Sequence, residues 1–481
     1  MNFNKFNLDR RGFLKGASAA GVASITGLTT GCSETKGFDP SAHASTLQGA
    51  LDKEGNRVLP WMNWSGNQSS EPTIRAVPKD TSELTDLIKN SDQRIRLVGM
   101  GHSFSALVPT NETLLSMAYF NGITHIDKSK KQFDVAANTV LAYVGGELWD
   151  AGLSVINMPD INTQTFGGAI ATSTHGTGIN YGSMSTQVVE MTFVNGRGEV
   201  VTCSNDKEKD IFDAARCNIG ALGAVTSLKI QAEERYHLRE RSWMMDLEEG
   251  LEQIEHLRDS ISHFEAYALP HADYILGIDI ERISESELME QKVSNGDAYE
   301  TFRTMSQLIE KVPFLKRFII NTACSTVEEE IKTGRNYQVF GNVRDIRFNE
   351  MEYSVPAEYG VKCLREILHA IRSTNSEVIF PIEYRYVKAD DIWLSPFFER
   401  DSCSISCHNF HDKDYKKYFA LLEPIFLKYQ GRPHWGKLHT LTAKEQARNY
   451  SKFDAFLQVR KDMDPLGKFT NQHIDNVLGL G

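Results

Sequence analysis

The 481-residue chain has no basic excess. Its 52 Lys and Arg face 63 Asp and Glu, a formal net charge of −11. A nucleic-acid binder needs cations to offset phosphate, so this balance argues against one. Beyond the N-terminus no apolar run approaches the length of a membrane span. Internal repeats and long low-complexity linkers are missing. Cysteine is sparse: seven residues with no Cys-x-x-Cys pair. Cys203, Cys217, Cys324, Cys363, Cys403 and Cys407 read as buried free thiols, although an oxidising compartment would permit disulfides. Cys403 and Cys407 are evenly spaced and would share one face of a strand. What remains is ordinary globular material, 41% hydrophobic and 24% charged, with room for about two or three domains.

The N-terminus differs. Arg10-Arg11 precedes a weakly apolar stretch from Gly16 to Gly31. A positive segment before such a run reads as a signal peptide over 1–31, and the paired arginines resemble a twin-arginine export signal. A disordered basic tail is the plain alternative. Leu28-Thr29-Thr30-Gly31-Cys32 resembles a lipobox, with Leu one position too far from Cys32. Ala42-His43-Ala44 offers a later cleavage site instead. Lipidation at Cys32 would tether the chain to a membrane without spanning it. The expected location is periplasmic or exported, reached through the twin-arginine machinery.

Residues 32–60 read as a linker. Thr73–Val77 reads as a strand ended by Pro78, and Thr81-Ser82-Glu83-Leu84 as the start of a helix. Strands are expected at Ile95–Val98, Leu114–Met117, Phe133–Ala137 and Val188–Val194. A turn at Asn195-Gly196-Arg197-Gly198 leads into Glu199–Cys203, a hairpin signal. A glycine-rich segment, Gly220-Ala221-Leu222-Gly223, enters a strand at Thr226–Ile230. Helices are expected at Leu247–Arg258 and Ala357–Thr374, and strands at Ile379–Val387 and Cys403–Phe410.

Two glycine-rich loops each hold a histidine: Gly99-Met100-Gly101-His102-Ser103 after an apolar strand, and Gly167-Gly168-Ala169-Ile170-Ala171-Thr172-Ser173-Thr174-His175-Gly176. Glycine lets backbone N–H groups approach an anion and permits positive φ, so the pair suggests a cradle for a phosphate-bearing cofactor. Their order resembles the vanillyl-alcohol-oxidase-type (PCMH-type) flavoproteins, and within them the sugar-1,4-lactone and alditol oxidases, including the D-arabinono-1,4-lactone oxidases. The resemblance implies an α+β fold. A two-part FAD-binding domain over 61–235 would precede an α+β substrate cap over 236–430. A C-terminal segment, 431–481, would return to the flavin site.

It also implies roles. His102 matches the histidine that such enzymes attach covalently to the 8α-methyl of FAD; a loop histidine bonded to backbone is the bland reading. Leu97, Val98, Gly99, Met100, Gly101, Ser103, Thr165, Gly168, Thr172, Ser173, Thr174, His175, Val225 and His434 match flavin-contacting positions. Close packing around a hairpin is the better reading for Gly220 and Gly223. Glu383 and Arg385 lie two apart, on one face of a strand, and resemble the family's substrate-binding pair. Asp390-Asp391-Ile392-Trp393-Leu394-Ser395-Pro396 resembles the lactone-oxidase branch. His408 would line the same pocket. Lys437, in Arg432-Pro433-His434-Trp435-Gly436-Lys437, would stabilise charge on reduced flavin or accept the substrate proton. Asp160 is either a substrate contact or a cap for its loop.

These readings point to oxidation of a sugar-derived alcohol or lactone by hydride transfer to the flavin. Oxygen or another acceptor would reoxidise it. Two other classes fit less well. A hydrolase lacks support because Gly101-His102-Ser103-Phe104-Ser105 is not Gly-x-Ser-x-Gly. A non-catalytic flavin- or sugar-binding lipoprotein is opposed by the joint presence of His102, Glu383, Arg385 and Lys437. No metal is expected: His434 and His439 would diverge on a helix.

Overall fold

The computed structural model describes residues 60–290, 298–341 and 346–480. The signal over 1–31, Cys32 and Ala42-His43-Ala44 lie outside the described residues.

The chain first builds a small parallel sheet from Ile74–Ala76 (β1), Ile95–Val98 (β2) and Thr113–Ser116 (β3), with β3 central. Helix Thr81–Asn90 (α1) crosses from β1 to β2. Its cap is Asp80, one residue before the expected start; the carboxylate accepts the Glu83 N–H. Leu84 and Ile88, four apart on one helix face, bury against Ile95 and Leu115.

An antiparallel sheet follows, from Ile123–Asp127 (β4), Gln132–Ala136 (β5), Leu153–Val155 (β6), Val188–Asn195 (β7), Val200–Ser204 (β8) and Gly223–Glu234 (β9). Its order is β8-β7-β9-β5-β4, with β6 pairing to the far end of β9. The Asn195–Gly198 turn joins β7 to β8 as its sequence predicts, with Gly198 at φ 76°. Two helices, Leu141–Asp150 (α2) and Phe166–Ala171 (α3), pack on this sheet through Leu141, Val144, Leu148, Phe166 and Ile170.

The third sheet has eight strands: His237–Asp246 (β10), His263–Ala268 (β11), Tyr274–Ile283 (β12), Glu330–Arg335 (β13), Phe348–Pro356 (β14), Ile382–Val387 (β15), Ser402–Phe410 (β16) and Arg432–Pro433 (β17). The order is β13-β10-β12-β11-β15-β16-β14-β17, antiparallel throughout. One face is apolar. Tyr384, Tyr386, Met351, Tyr353, Cys403, Ile405 and Cys407 lie there under helices Leu247–Ser260 (α4), Gly360–Ser373 (α7) and Lys416–Lys428 (α8). Between α4 and α7, Ala298–Lys311 (α5) and Lys316–Cys324 (α6) form a helical pair. The expected helix over 357–374 divides into a 3-10 turn, Ala357–Tyr359, and α7. The six cysteines among the described residues are buried free thiols, and burial raises the thiol pKa of Cys203 and Cys324 to about 12.

The C-terminal residues return to the first two sheets. The Ile95 N–H donates to the Lys468 carbonyl at 2.6 Å. The buried Arg96 guanidinium donates to the carbonyls of Leu107, Ile219, Gly220 and Phe469 at 2.7–3.1 Å. Phe456, Ile474 and Val477 join the core of the antiparallel sheet.

Candidate active site

The three sheets meet around one cleft. Leu97, Val98, Gly99, Met100, Gly101, His102 and Ser103 line it from the loop after β2. Thr165, Gly168, Thr172, Thr174 and His175 line it around α3, and Val225 from β9. Asp160, Glu383, Arg385, His408, His434 and Lys437 complete the wall. Ser173 is placed differently. It sits at φ 54°, fully buried, in the turn that ends α3, and does not line the cleft. The left-handed turn carries it inward while Thr172 and Thr174 stay on the wall.

The loops fit a phosphate-bearing cofactor. Gly101 has φ 72°. A Cβ on Gly99 would lie 2.6 Å from Thr165 Oγ1, so only glycine allows the two loops to approach this closely. Among the described residues no acceptor faces the backbone N–H groups of Gly101, His102 or Ser103. Unfilled donors on a concave wall suit an anionic or carbonyl-bearing ligand. Gly220 and Gly223 also reach the cleft wall, although tight packing explains both. A Cβ would lie 3.1 Å from Arg96 Nη2 at Gly220, and 2.3 Å from the Val194 carbonyl at Gly223.

His102 lies against Trp64, with ring centroids 5.6 Å apart. Its Nε2 is 2.9 Å from Thr163 Oγ1, which leaves Nδ1 as the free ring nitrogen. Burial, assisted by Lys437, lowers its pKa to about 4, so the ring is neutral at pH 7.

Opposite the loops stands the polar face of the eight-stranded sheet. Alternation puts Ile382, Tyr384 and Tyr386 into the apolar core and Glu383 and Arg385 toward the cleft. Register then brings in three neighbours. Tyr267 pairs with Glu383 and Glu265 with Arg385 across β11, and Glu350 pairs with His408 across β14 and β16. The Tyr267 hydroxyl donates to Glu383 Oε1 at 2.6 Å. Arg385 Nη2 lies 3.2 Å from Glu383 Oε2 and 3.6 Å from Glu352 Oε2. Burial opposes the guanidinium charge, but Glu383, Glu352 and Glu265 outweigh it and raise the Arg385 pKa. Burial and the Glu383 carboxylate push Glu265 up.

Glu352 is held far below its ordinary pKa. Burial opposes its charge, and His175, His434 and Arg385 outweigh burial. His175 Nε2 sits 2.6 Å from Glu352 Oε1, while its Nδ1 faces the Gly176 carbonyl at 2.8 Å. The two contacts fix the orientation of the His175 ring between Glu352 and its own loop. At His434, Nδ1 accepts the Gly436 N–H at 3.1 Å, and burial lowers the pKa to about 3.

Lys437 Nζ contacts Glu350 Oε2 at 2.5 Å, and His408 Nε2 is 3.6 Å from Glu350 Oε1. The Pro381 carbonyl, 3.1 Å from His408 Nδ1, fixes a proton on that nitrogen. Burial opposes the Glu350 charge, but Lys437 and His408 hold its carboxyl below the ordinary range. Glu350, Glu383 and His408 place ligand atoms within 4.8 Å of one another. Lys437 and Arg385 already balance those carboxylates, so no metal is needed to do so.

Glu350, Glu352, Glu265, Tyr267 and Thr163 were not among the residues expected from sequence. The signal for the first two is the alternation in Phe348-Asn349-Glu350-Met351-Glu352-Tyr353, which puts two carboxylates on one strand face. The Asp390–Pro396 stretch stays out of the cleft. Asp391 instead pairs with Arg216 at 3.0 Å, and the Leu394 carbonyl accepts from Trp435 Nε1 at 2.6 Å.

Comparison with known proteins gives a consistent picture. A family model described as D-arabinono-1,4-lactone oxidase matches residues 228–477, and one described as FAD binding domain matches 72–204. The chain is 31% identical over 430 residues to L-gulono-1,4-lactone dehydrogenase of Mycobacterium tuberculosis, covering 87% of this chain and 99% of that protein. It is 28% identical over 444 residues to L-gulonolactone oxidase of Mus musculus, covering 88% and 99%. D-arabinono-1,4-lactone oxidase of Eremothecium gossypii is 26% identical over 370 residues, 71% and 68% of the two chains. Cholesterol oxidase from B. sterolicum superposes with a TM-score of 0.75 at 18% identity, over 87% of this chain and 96% of that one, which shows a shared fold.

Proposed function

The chain belongs to the D-arabinono-1,4-lactone oxidase family, and from that premise we propose that it oxidises an aldono-1,4-lactone or a related sugar alcohol with FAD. The observation that carries this reading is the facing of two walls: glycine loops with unfilled N–H donors opposite the Glu383–Arg385–Lys437–Glu350 array. FAD, when bound, supplies the hydride acceptor.

The chain's residues do the rest. Arg385 donates to the carbonyl or hydroxyl oxygens of the substrate, and Glu383, fixed by Tyr267, accepts from a neighbouring hydroxyl. His408 presents Nε2 beside Glu350, and this pair takes the proton of the reacting hydroxyl. Lys437, paired with Glu350, stabilises developing negative charge. Asp160 lines the cleft on the same side and serves as a polar substrate contact.

We further infer that His102 carries FAD covalently through Nδ1, because Nε2 is engaged by Thr163 and the neutral ring keeps its lone pair. The export signal and the Cys32 anchor are also inferred, from residues 1–32 alone; Arg10→Lys with Arg11→Lys should strand the protein in the cytoplasm. Anaerobic titration with aldono-1,4-lactones and alditols tests the reaction: the yellow absorption should bleach with a lactone. Re-admitting oxygen, and separately a soluble dye, identifies the acceptor class. Acid precipitation should leave flavin on the polypeptide, and His102→Ala should release it. A chain that no lactone or alditol reduces would refute the reading, as would wild-type flavin fully extracted by acid for the linkage.

A further inference from the structure

The first described residues tie a knot against the loop of His102. Trp61–Met62 pairs antiparallel with Ser69–Ser70, and the chain between them folds around Asn63. Asn63 Oδ1 accepts the Gly66 and Gln68 N–H groups at 3.0 and 3.1 Å. Its Nδ2 donates to Asn67 Oδ1 at 2.7 Å and across to the Ser103 carbonyl at 2.9 Å. One buried side chain thus closes the knot and joins it to the loop.

The knot captures loop carbonyls. The Trp64 N–H donates to the Gly101 carbonyl at 2.8 Å, and Asn67 Nδ2 and Gln68 Nε2 both donate to the Phe104 carbonyl at 3.0 Å. A trans peptide sends its C=O and N–H to opposite sides. The Ser103 and Phe104 carbonyls face the knot, so the Phe104 and Ser105 N–H groups reach the Gly436 carbonyl on the other side, at 2.7 and 3.3 Å. Gly436 lies on the cleft wall. By the same geometry, capture of the Gly101 carbonyl turns the His102 N–H away from the knot. The His102 ring is held as well. Trp64 lies against it, tilted by 33°, and is itself braced by the edges of Phe104 and Phe348 at 6.3 and 5.2 Å. With Nε2 engaged by Thr163, two contacts fix the ring and leave Nδ1 to the ligand.

We propose that Asn63 and Trp64 are positioning residues for flavin attachment, Asn63 through the loop backbone and Trp64 through the His102 ring. This rests on the reading that His102 carries FAD, and extends it to residues outside both glycine loops. The step they serve forms a bond from Nδ1 to the 8α carbon and breaks one C–H bond there. The carbon's proton leaves and its electron pair stays on the flavin ring, which is reduced. The imidazole then releases its Nε2 proton beside Thr163. Molecular oxygen takes the two electrons and two protons and restores the oxidised flavin. Attack of this kind needs the nitrogen within about an ångström of its productive place, and both contacts act on that placement.

The test uses the full purified chain. Absorbance gives total flavin, and acid precipitation gives the fraction linked to the polypeptide. Trp64→Leu should lower the linked fraction by about tenfold or more, with unlinked flavin in its place, and Trp64→Phe should restore most of it. Asn63→Asp keeps the acceptor for Gly66 and Gln68 but loses the donor to Ser103, and should lower linkage by about fivefold. The rate at which flavin-starved chain becomes linked, when given FAD in air, should fall in the same order. Melting temperatures of Trp64→Phe and Asn63→Asp should stay near wild type. Wild-type flavin fully extracted by acid would overturn the linkage, and this proposal with it. A linked wild type beside a Trp64→Leu or Asn63→Asp chain that links at its rate would overturn this proposal alone. Loss of linked and unlinked flavin together, in step with a lowered melting temperature, would mean that the knot serves only the fold, and would overturn it equally.

Discussion

Replacing Arg385 with methionine should destabilise the protein in a pH-dependent way. The guanidinium is buried and lies 3.2 and 3.6 Å from two buried carboxylates, Glu383 and Glu352, with Glu265 also beside it. At an effective dielectric near 20, each contact is worth about 5 kcal/mol before desolvation is subtracted. Removing one member of such a cluster costs about 3–5 kcal/mol, because the partners remain buried and unpaired. The sign with pH follows from those partners. In the wild type, Glu352 has a depressed pKa, so its contribution is present above the ordinary carboxylate range and lost as pH falls. In the variant the carboxyls lose the cation that favours their charge, and their pKa values rise. A raised carboxyl is most stabilising at low pH and loses that contribution as pH rises. The gap between wild type and variant should therefore widen from about pH 5 to pH 8, by roughly 1–2 kcal/mol. Urea unfolding at both pH values measures it, and stopped-flow reduction should slow about a hundredfold at either. An equal stability loss at pH 5 and pH 8 would mean that Arg385 acts by packing alone.

Lys437→Ala should slow anaerobic flavin reduction by about a hundredfold while flavin content persists, since the lysine's charge is paired with Glu350 on the cleft wall. Gly99→Ala should reduce flavin content and cost about 1–3 kcal/mol, read by absorbance ratio and thermal melting, because its Cβ would lie 2.6 Å from Thr165 Oγ1. Acid should destabilise the fold below about pH 6. His434 and His263 are lowered by burial to about 3 and about 4, so the unfolded chain takes up protons first and stability drops as pH falls, by up to about 1.4 kcal/mol per pH unit for each. A flat melting temperature from pH 7 to pH 5 would contradict this.

Local chemistry was legible wherever the chain alone determines it. The Asn195–Gly198 hairpin, the strand Ile95–Val98 and the same-face pair Glu383 and Arg385 needed only turn residues and a two-residue period. The inward turn of Ser173 was not legible, because a glycine-rich segment read as a line hides which residues turn inward; only the positive φ at that position decides it. Glu350 and Glu352 were missed for another reason. Their partners, Lys437, His408, His175 and Arg385, come from four distant segments, and no local pattern marks a carboxylate that long-range register will bury. Strand β9 ran longer than its apolar core suggested, since its ends pair with β7 and β6 rather than with anything nearby in sequence.

The Arg96 junction sets an order of events during synthesis. Its guanidinium gathers carbonyls from the loop at Leu107, the glycine segment at Ile219 and Gly220, and Phe469 near the C-terminus. Ile95, which leads into the glycine loop of His102, takes its backbone acceptor from Lys468. A nascent chain lacking the last segment leaves the Ile95 N–H without its acceptor and Arg96 without one of its four carbonyls, that of Phe469. The first loop of the cleft is thus finished only when the last segment arrives. A truncation removing residues 464–481 should therefore lower flavin content, because Ile95 and Arg96 lose the Lys468 and Phe469 carbonyls.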